Sequence, residues 1–287
     1  MNSTEIKHLE NIASQVRRDI IRMVNQAKSG HPGGSLGCAE ILTALYFSIM
    51  DINPENFEMD GKNEDIFFLS NGHISPVFYS VLARRGYFES DDLSTFRKLG
   101  TRLQGHPTTH DNLPGVRIAS GSLGQGLSAA AGCALAKKLN NDKHFVFVLT
   151  GDGELQEGQN WEALMFAAHH KIDNLIAIVD YNNKQIDGDV DDVISLGNLQ
   201  NKIKSFGWLT IEADGNNMED VLNSLNGAIS LSGKNSPVCV IMKTIMGKGV
   251  DFMENKHQWH GVAPDDEQTK AALLQLRETL SDYKSKI

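Results

Sequence analysis

The sequence has few cysteines, no long apolar run and no excess of positive charge. Its three cysteines, Cys38, Cys133 and Cys239, are scattered in apolar surroundings without a Cys-x-x-Cys pair, so we expect buried, inert thiols in a reducing compartment. The N-terminus has no apolar signal core and no run approaches membrane-spanning length, which predicts a cytoplasmic protein without a membrane partner. A net charge of −9 argues against a nucleic-acid partner, because general nucleic-acid binders need a basic face.

The centre of the chain has the pattern of a βαβ unit. Residues 145–150 and 175–180 are short, continuous apolar runs, which are typical of parallel strands covered on both faces. Residues 159–170 between them have the spacing of an amphipathic helix. A chain of 287 residues can hold one large α/β domain or two smaller ones. We therefore predict an α/β fold with a doubly wound, mainly parallel sheet and helices on both faces.

The segments around this unit carry further helix and loop signals. Residues 4–28 have apolar residues at helical spacing, and a second helix is predicted from about Ser35 to Met50. Residues 90–116 are loop-rich, and long irregular connections in compact domains are usually functional or flexible. Residues 265–286 predict one amphipathic helix with a frayed, charged tail.

Polar residues follow both strands of the βαβ unit. Asp152 follows the first strand and Asn182 the second, and parallel strands end at the same edge of a sheet, where ligands bind. Their oxygens, with a nearby main-chain carbonyl, suit a Mg²⁺ ion that keeps its other positions for water and phosphates. Gly151 and Gly153 let the backbone approach a diphosphate closely. The alternative is that Asp152 only caps a helix and Asn182 only starts a turn.

These residues carry a resemblance to a known family. Gly-Asp-Gly followed by Asn-Asn at this distance resembles the thiamine diphosphate motif, and the string GDGELQEG resembles transketolase. The resemblance implies that Asp152, the side chain of Asn182 and the main-chain carbonyl of Lys184 hold a Mg²⁺ ion that bridges to the cofactor diphosphate. The family often has an aliphatic residue at the position of Lys184, but only the carbonyl is needed there.

Four histidines lie in segments that match the family. His31 is in the loop GHPGGSLG, His73 follows the first predicted strand, His106 is in a GHP segment, and His260 is in WHG after the last predicted strand. Taken alone, His73 could simply cap the following helix. The resemblance implies that all four are catalytic and contact the ketose, and that His73 and His260 also bind the cofactor. Imidazole pKa values near neutrality allow roles as acid, base or hydroxyl partner.

A glycine-rich loop precedes an alanine-rich helix. Gly121, Gly124 and Gly126 begin this segment, and such loops direct backbone N–H groups at anions. The loop lacks the G-x-G-x-x-G order of a dinucleotide fold. G-S-L-G-Q-G resembles the transketolase loop in which Gly121, Ser122 and Leu123 contact thiamine diphosphate.

One position departs from the family pattern. Some members carry a cofactor-contacting lysine where this chain has Met246, and Lys248 is the candidate that replaces it. Lys243 is another cation near the last predicted strand that could balance phosphate charge. Glu157 matches a glutamate that lies at the subunit interface in the family, although a solvated or helix-capping carboxylate is an equal alternative.

The resemblance covers essentially the whole chain, but a full transketolase has two further domains. We therefore interpret residues 1–287 as a single thiamine diphosphate-binding domain without the pyrimidine-binding and C-terminal domains. The implied function is that of the N-terminal subunit of a split transketolase, active with a C-terminal partner subunit in an α2β2 assembly. It would transfer a two-carbon ketol unit from a ketose phosphate to an aldose phosphate, as in the pentose phosphate pathway, with thiamine diphosphate and Mg²⁺.

Three alternatives stay open. The chain could be a subunit of a 2-oxo acid dehydrogenase, a protein similar to deoxyxylulose phosphate synthase, or a non-catalytic protein that keeps the cofactor fold. The histidine-bearing segments favour transketolase over the first two, because they suit a sugar polyol rather than a 2-oxo acid.

Overall fold

The computed structural model describes residues 3–285, so residues 286 and 287 of the predicted domain and tail lie outside it. Within that range a five-stranded parallel sheet has the strand order β1-β2-β3-β7-β6, and β4 and β5 form a separate two-residue hairpin. The strands are β1 (Ile66–Leu69), β2 (Val146–Gly151), β3 (Leu175–Tyr181), β4 (Lys184–Gln185), β5 (Gly188–Asp189), β6 (Leu209–Asp214) and β7 (Val238–Lys243).

Helices cover both faces of this sheet. The α-helices are α1 (Ser3–Ala27), α2 (Pro32–Gly37), α3 (Ala39–Ala44), α4 (Ser75–Arg85), α5 (Gln125–Leu139), α6 (Gly158–His169), α7 (Val190–Ile194), α8 (Leu199–Ser205), α9 (Met218–Leu231) and α10 (Asp266–Gln275). Among the residues that the structure describes, no helix is long and apolar enough to cross a membrane.

Successive residues of the central strands enter two different cores. In β1, Phe67 and Leu69 pack in the core that includes α1, α3, α4 and α9, whereas Ile66 and Phe68 pack in the core that includes α5 and α6. Because side chains alternate along a strand, burial on both faces requires an apolar residue at every position. The continuous apolar runs have this cause, and the predicted doubly wound α/β fold is confirmed.

The second predicted helix is wrong in its details. The segment from Ser35 to Met50 is divided into α2, α3 and a π-helical turn at Leu45–Ile49. At the end of α2 the carbonyl of Ile245 lies 3.0 Å from the position that a Cβ on Gly37 would take. This close approach by another chain segment is a tertiary contact, and the helical spacing of the apolar residues does not reveal it.

The predicted C-terminal helix is too long. Residues 265–286 form a helix only as far as Gln275, and the chain beyond it is held rather than frayed. Arg18 donates to the main-chain carbonyl of Leu276 at 2.7 Å and pairs with the Asp282 carboxylate at 2.7 Å. A buried guanidinium in α1 thus takes the carbonyl and the carboxylate into another geometry, which overrides local helix propensity.

The cysteines are free, as expected. Cys38 and Cys239 are buried, whereas Cys133 is only partly buried. Burial raises the pKa of the Cys239 thiol to about 12, so this group stays protonated and unreactive at neutral pH.

Candidate active site

One cavity of about 380 Å³ lies at the carboxyl ends of β1, β2 and β3. The predicted site residues that line it are His31, His73, Gly121, Leu123, Gly151, Asp152, Gly153, Asn182, Lys184 and His260. Ser122 is exposed between two of these lining residues, and His106 lies at the rim with its ring 6.1 Å from that of His31. The fold therefore brings together segments that are far apart in the sequence.

The turns after β2 and β3 are joined through Asp152. Its backbone N–H donates to the carbonyl of Asp180 at 3.1 Å. Its carboxylate accepts from the backbone N–H groups of Gly153, at 2.7 Å, and Asn183, at 2.5 Å. These bonds fix the carboxylate beside the turn that carries Asn182.

The Asn182 amide has a fixed orientation. Its Nδ2 donates to the Asp180 carboxylate at 2.9 Å, and its Oδ1 accepts from the backbone N–H of Lys184 at 2.8 Å. Thr244 donates its hydroxyl to the same Asp180 carboxylate. Because an amide oxygen has two lone pairs, Asn182 Oδ1 can still serve a cation.

The charges in this part of the cavity favour a cation. Asp152 is 2% exposed, and burial, together with the neighbouring Asp180 carboxylate, raises its pKa to about 7. Burial also raises the pKa of Asp180. A divalent cation would relieve this repulsion, because its charge offsets both carboxylates.

The donor set tests which ion the residues would fit. Within residues 3–285 no group of three His, Cys, Asp or Glu side chains is placed to hold a metal by itself. One carboxylate, one amide oxygen and one main-chain carbonyl are instead available from Asp152, Asn182 and Lys184. This sparse set of hard oxygens fits Mg²⁺ that completes its shell with phosphates and water.

The four histidines form a cluster above these turns. The ring centroid of His31 is 5.2 Å from that of His73 and 5.6 Å from that of His260, and the rings of His73 and His260 stack at 5.0 Å. Burial, then His260 and Arg97, lowers the pKa of His31 to about 4. Burial lowers the pKa of His73 and His260, and partial burial with Arg97 lowers that of His106.

Neutral imidazoles have a specific chemical use. Each ring has one nitrogen that donates and one that accepts, so the cluster can bind several hydroxyl groups without adding charge. Among the described residues, Nδ1 of His31 and Nδ1 of His260 are buried without a hydrogen-bond partner. The cluster is therefore chemically incomplete in the absence of a polar ligand.

The lowered pKa of His31 predicts that acid destabilises the chain. In the unfolded state this side chain binds a proton below its ordinary pKa of 6.5, whereas in the folded state it does not until about 4, so stability falls as pH drops through this window. At about pH 5 we expect His31 to contribute roughly 2 kcal/mol to this loss.

Urea unfolding at about pH 8 and about pH 5 checks this expectation. His31→Gln should lose less stability on acidification than the unchanged chain, and replacement of the exposed His110 by glutamine is the control. An equal acid loss in the His31→Gln variant would contradict the assignment.

Glu154 is a buried carboxylate that the sequence did not single out. It accepts from the Ser70 hydroxyl, from the backbone N–H of Gly124 at 2.7 Å and from that of Gly151 at 3.1 Å. The ends of β1 and β2 and the glycine loop before α5 are thus joined by one side chain. In the sequence Glu154 looks like an ordinary polar turn residue, because its burial arises only from the fold.

The lysines do not replace the family's missing cation. Met246 is buried and lines the cavity, whereas Lys248 lies 3.7 Å from the Glu254 carboxylate and Lys243 pairs with Glu212. The hypothesis that Lys248 compensates for Met246 is therefore not supported. In the part of the chain that the structure describes, Lys184 is the only lysine or arginine that lines the cavity.

Comparisons with known proteins agree with this geometry. The family described as transketolase, thiamine diphosphate binding domain, matches residues 9–279. The chain is 38% identical to 6-deoxy-6-sulfo-D-fructose transketolase subunit SqwG of Clostridium sp. (93% of this chain, 96% of the relative). It is 36% identical to one of the subunits of the apulose-4-phosphate transketolase of Phocaeicola vulgatus (96% of each).

A solved structure gives the same result. The transketolase of Campylobacter jejuni superposes with a TM-score of 0.85 at 35% identity, over 96% of this chain and 43% of that one. The chain therefore spans less than half of this transketolase but nearly all of the two relatives named as subunits.

Proposed function

This chain belongs to the transketolase family, and from that premise we propose that it is the diphosphate-binding, N-terminal subunit of a split transketolase. It transfers a two-carbon ketol unit from a ketose phosphate to an aldose phosphate with thiamine diphosphate and Mg²⁺. The observation that carries this proposal is the cavity in which the Asp152 and Asn182 turns face a cluster of neutral histidines. An anion-binding edge beside a polyol-binding cluster suits a phosphorylated cofactor and a sugar.

The residues have distinct tasks in this proposal. Asp152, Asn182 and the Lys184 carbonyl hold Mg²⁺, and the backbone at Gly151 and Gly153 faces the diphosphate. Gly121, Ser122 and Leu123 border the rest of the cofactor, Leu123 beneath its pyrimidine. When bound, thiamine diphosphate supplies the carbanion chemistry.

The histidines act on the sugar. His31, His73, His106 and His260 hydrogen-bond the substrate hydroxyls, and an unprotonated ring nitrogen takes a hydroxyl proton that it later returns. Because the pKa values of all four are lowered, this accepting nitrogen is free at neutral pH. The arrangement also keeps positive charge away from the reacting centre.

A partner subunit completes the proposed enzyme. Two relatives that match over nearly their whole length are named as subunits, while the single-chain transketolase is more than twice as long as the matched part. The adjoining helices α5 and α6 also leave Leu139, Met165 and Phe166 exposed at 74%, 53% and 41%, and exposed apolar side chains favour association. We propose a partner with the pyrimidine-binding half, in an α2β2 assembly.

Complementation tests this proposal. The purified chain is mixed with the candidate C-terminal subunit, Mg²⁺ and thiamine diphosphate, and ketol transfer from xylulose 5-phosphate to ribose 5-phosphate is measured. We expect activity that rises with added partner and little from either chain alone. Full activity of this chain alone would contradict the split enzyme, and release of CO₂ from pyruvate would indicate a 2-oxo acid enzyme.

The donor sugar is the open part of the proposal. Both full-length relatives are named for particular ketoses, 6-deoxy-6-sulfo-D-fructose and apulose 4-phosphate. The donor panel should therefore contain these two compounds beside xylulose 5-phosphate. Cofactor binding without transfer from any donor would favour the non-catalytic alternative. A role in the pentose phosphate pathway and a cytoplasmic location stay predictions.

A further inference from the structure

Asn71 ends β1 with a buried amide that the fold does not satisfy. The residue is 1% exposed, and its Oδ1 has no hydrogen-bond partner among the described residues. Its side chain does not cap the 3-10 turn that follows. A buried amide oxygen without a partner has lost its hydration without compensation, so an apolar side chain of the same size would be more favourable for folding alone.

The position of this amide indicates what it binds. Asn71 lines the cavity, and its Nδ2 lies 3.8 Å from the position that a Cβ on Gly151 would take. The amide therefore lies over the Gly-Asp-Gly turn, at the end of the cavity that carries Asp152 and Asn182. The histidine cluster occupies another part of the lining, so a sugar hydroxyl is the less fitting ligand.

The charge of the surroundings selects the type of donor. The buried carboxylates nearest this turn are Asp152, Glu154 and Asp180, and Lys184, the lining cation, is paired with Asp189 at 2.5 Å. A diphosphate in this environment needs neutral donors in addition to the metal ion. An asparagine NH₂ group donates two hydrogen bonds and carries no net charge.

We propose that Asn71 is a further cofactor-binding residue, whose amide NH₂ donates to a diphosphate oxygen beside the cation held at Asp152 and Asn182. This inference rests on the proposed function, because it takes the diphosphate of that cofactor as the ligand. Binding would satisfy the amide that folding leaves without a partner. Asn71 therefore serves the ligand at the expense of the stability of the free chain.

The opposite effects on stability and binding make the proposal testable. Asn71→Leu keeps the size of the side chain and removes its polar atoms, so the unliganded chain should melt at the same or a higher temperature. Its affinity for thiamine diphosphate in the assembled enzyme should fall about tenfold or more, since hydrogen bonds to charged groups are the stronger ones. Asn71→Asp adds a carboxylate beside the diphosphate and should lower the affinity further, by about a hundredfold.

Asn174 provides the matched control. Its Oδ1 is also buried without a partner, but its Nδ2 donates to the carbonyl of Ala134 at 2.9 Å, away from the cavity. Asn174→Leu should therefore lower the melting temperature and leave the affinity unchanged. A merely structural role of Asn71 would give the same pattern as this control.

Calorimetric titration of thiamine diphosphate with Mg²⁺ into the assembled protein separates the outcomes. Unchanged affinity of Asn71→Leu, or of Asn71→Ala should the leucine variant not fold, overturns the inference and leaves the proposed function standing. Absence of binding by the unaltered assembly overturns the proposed function and this inference with it. A selective loss of affinity with retained stability supports both.

Discussion

Replacement of Asp152 by alanine is expected to lower ketol transfer by the assembled enzyme at least about a thousandfold. Asp152 supplies the only carboxylate of the proposed metal-binding set. Loss of residues that merely support a metal ligand typically lowers affinity or activity about 10–100-fold, and loss of a charged ligand should exceed that. Without the cation, the diphosphate would face the Asp180 carboxylate directly.

The same variant should remain folded. Asp152 and Asp180 repel each other in the free chain, as the raised pKa of Asp152 shows, so removal of one carboxylate does not remove a favourable ion pair. Asp152→Asn is the more conservative version, because it keeps the hydrogen-bonding shape. We expect an unchanged or higher melting temperature without cofactor.

Thermal melts with and without thiamine diphosphate and Mg²⁺ measure the loss of binding directly, because a ligand that binds the folded state raises the melting temperature. Replacement of Asp214, an exposed carboxylate at the end of β6, serves as the control. The metal assignment would be wrong if the cofactor and Mg²⁺ still stabilised Asp152→Ala as they stabilise the unaltered protein.

Replacement of Gly126 by alanine should destabilise the chain by about 3 kcal/mol. A Cβ at this position would lie 2.7 Å from the Cα of Ser70, in the first turn of α5, where the Gly126 N–H donates to the Ser70 hydroxyl at 3.1 Å. The obstacle is backbone at the end of β1, so no rotamer change relieves it. Displacement of α5 would also move the glycine loop that borders the cavity.

The same substitution in the same helix supplies the control. A Cβ on Gly132 would meet nothing within 4 Å, so Gly132→Ala should stabilise the isolated chain by roughly 0.5–1 kcal/mol through helix propensity. Urea unfolding of the two variants checks the opposite signs. A similar effect at both positions would show that α5 does not pack on β1 as described.

The sequence predicts the fold and the metal-binding edge well for a physical reason. Strand type and direction follow from local apolar runs, and the edge rule then places Asp152 near Asn182 without any knowledge of packing. Helix boundaries such as those of α6 and α9 also follow from local signals.

The residues that sequence reasoning missed depend on contacts between distant segments. Glu154 and Asp180 are ordinary acidic residues until the fold buries them, and the orphaned amide of Asn71 is visible only once its surroundings are known. The two wrong helices have similar causes, since the Ile245 carbonyl and the Arg18 guanidinium come from far along the chain. The family resemblance gives the histidines, but the chain's own geometry shows them to be uncharged.

The exposed apolar side chains on α5 and α6 have a consequence for the life of the subunit in a cell. A copy that lacks its partner keeps Leu139, Met165 and Phe166 in water. Such surface is the kind of feature that promotes aggregation, and cells triage poorly folded chains through chaperones and proteases. Assembly would then act as quality control, because synthesis of this chain in excess of its partner would yield orphan copies that are cleared.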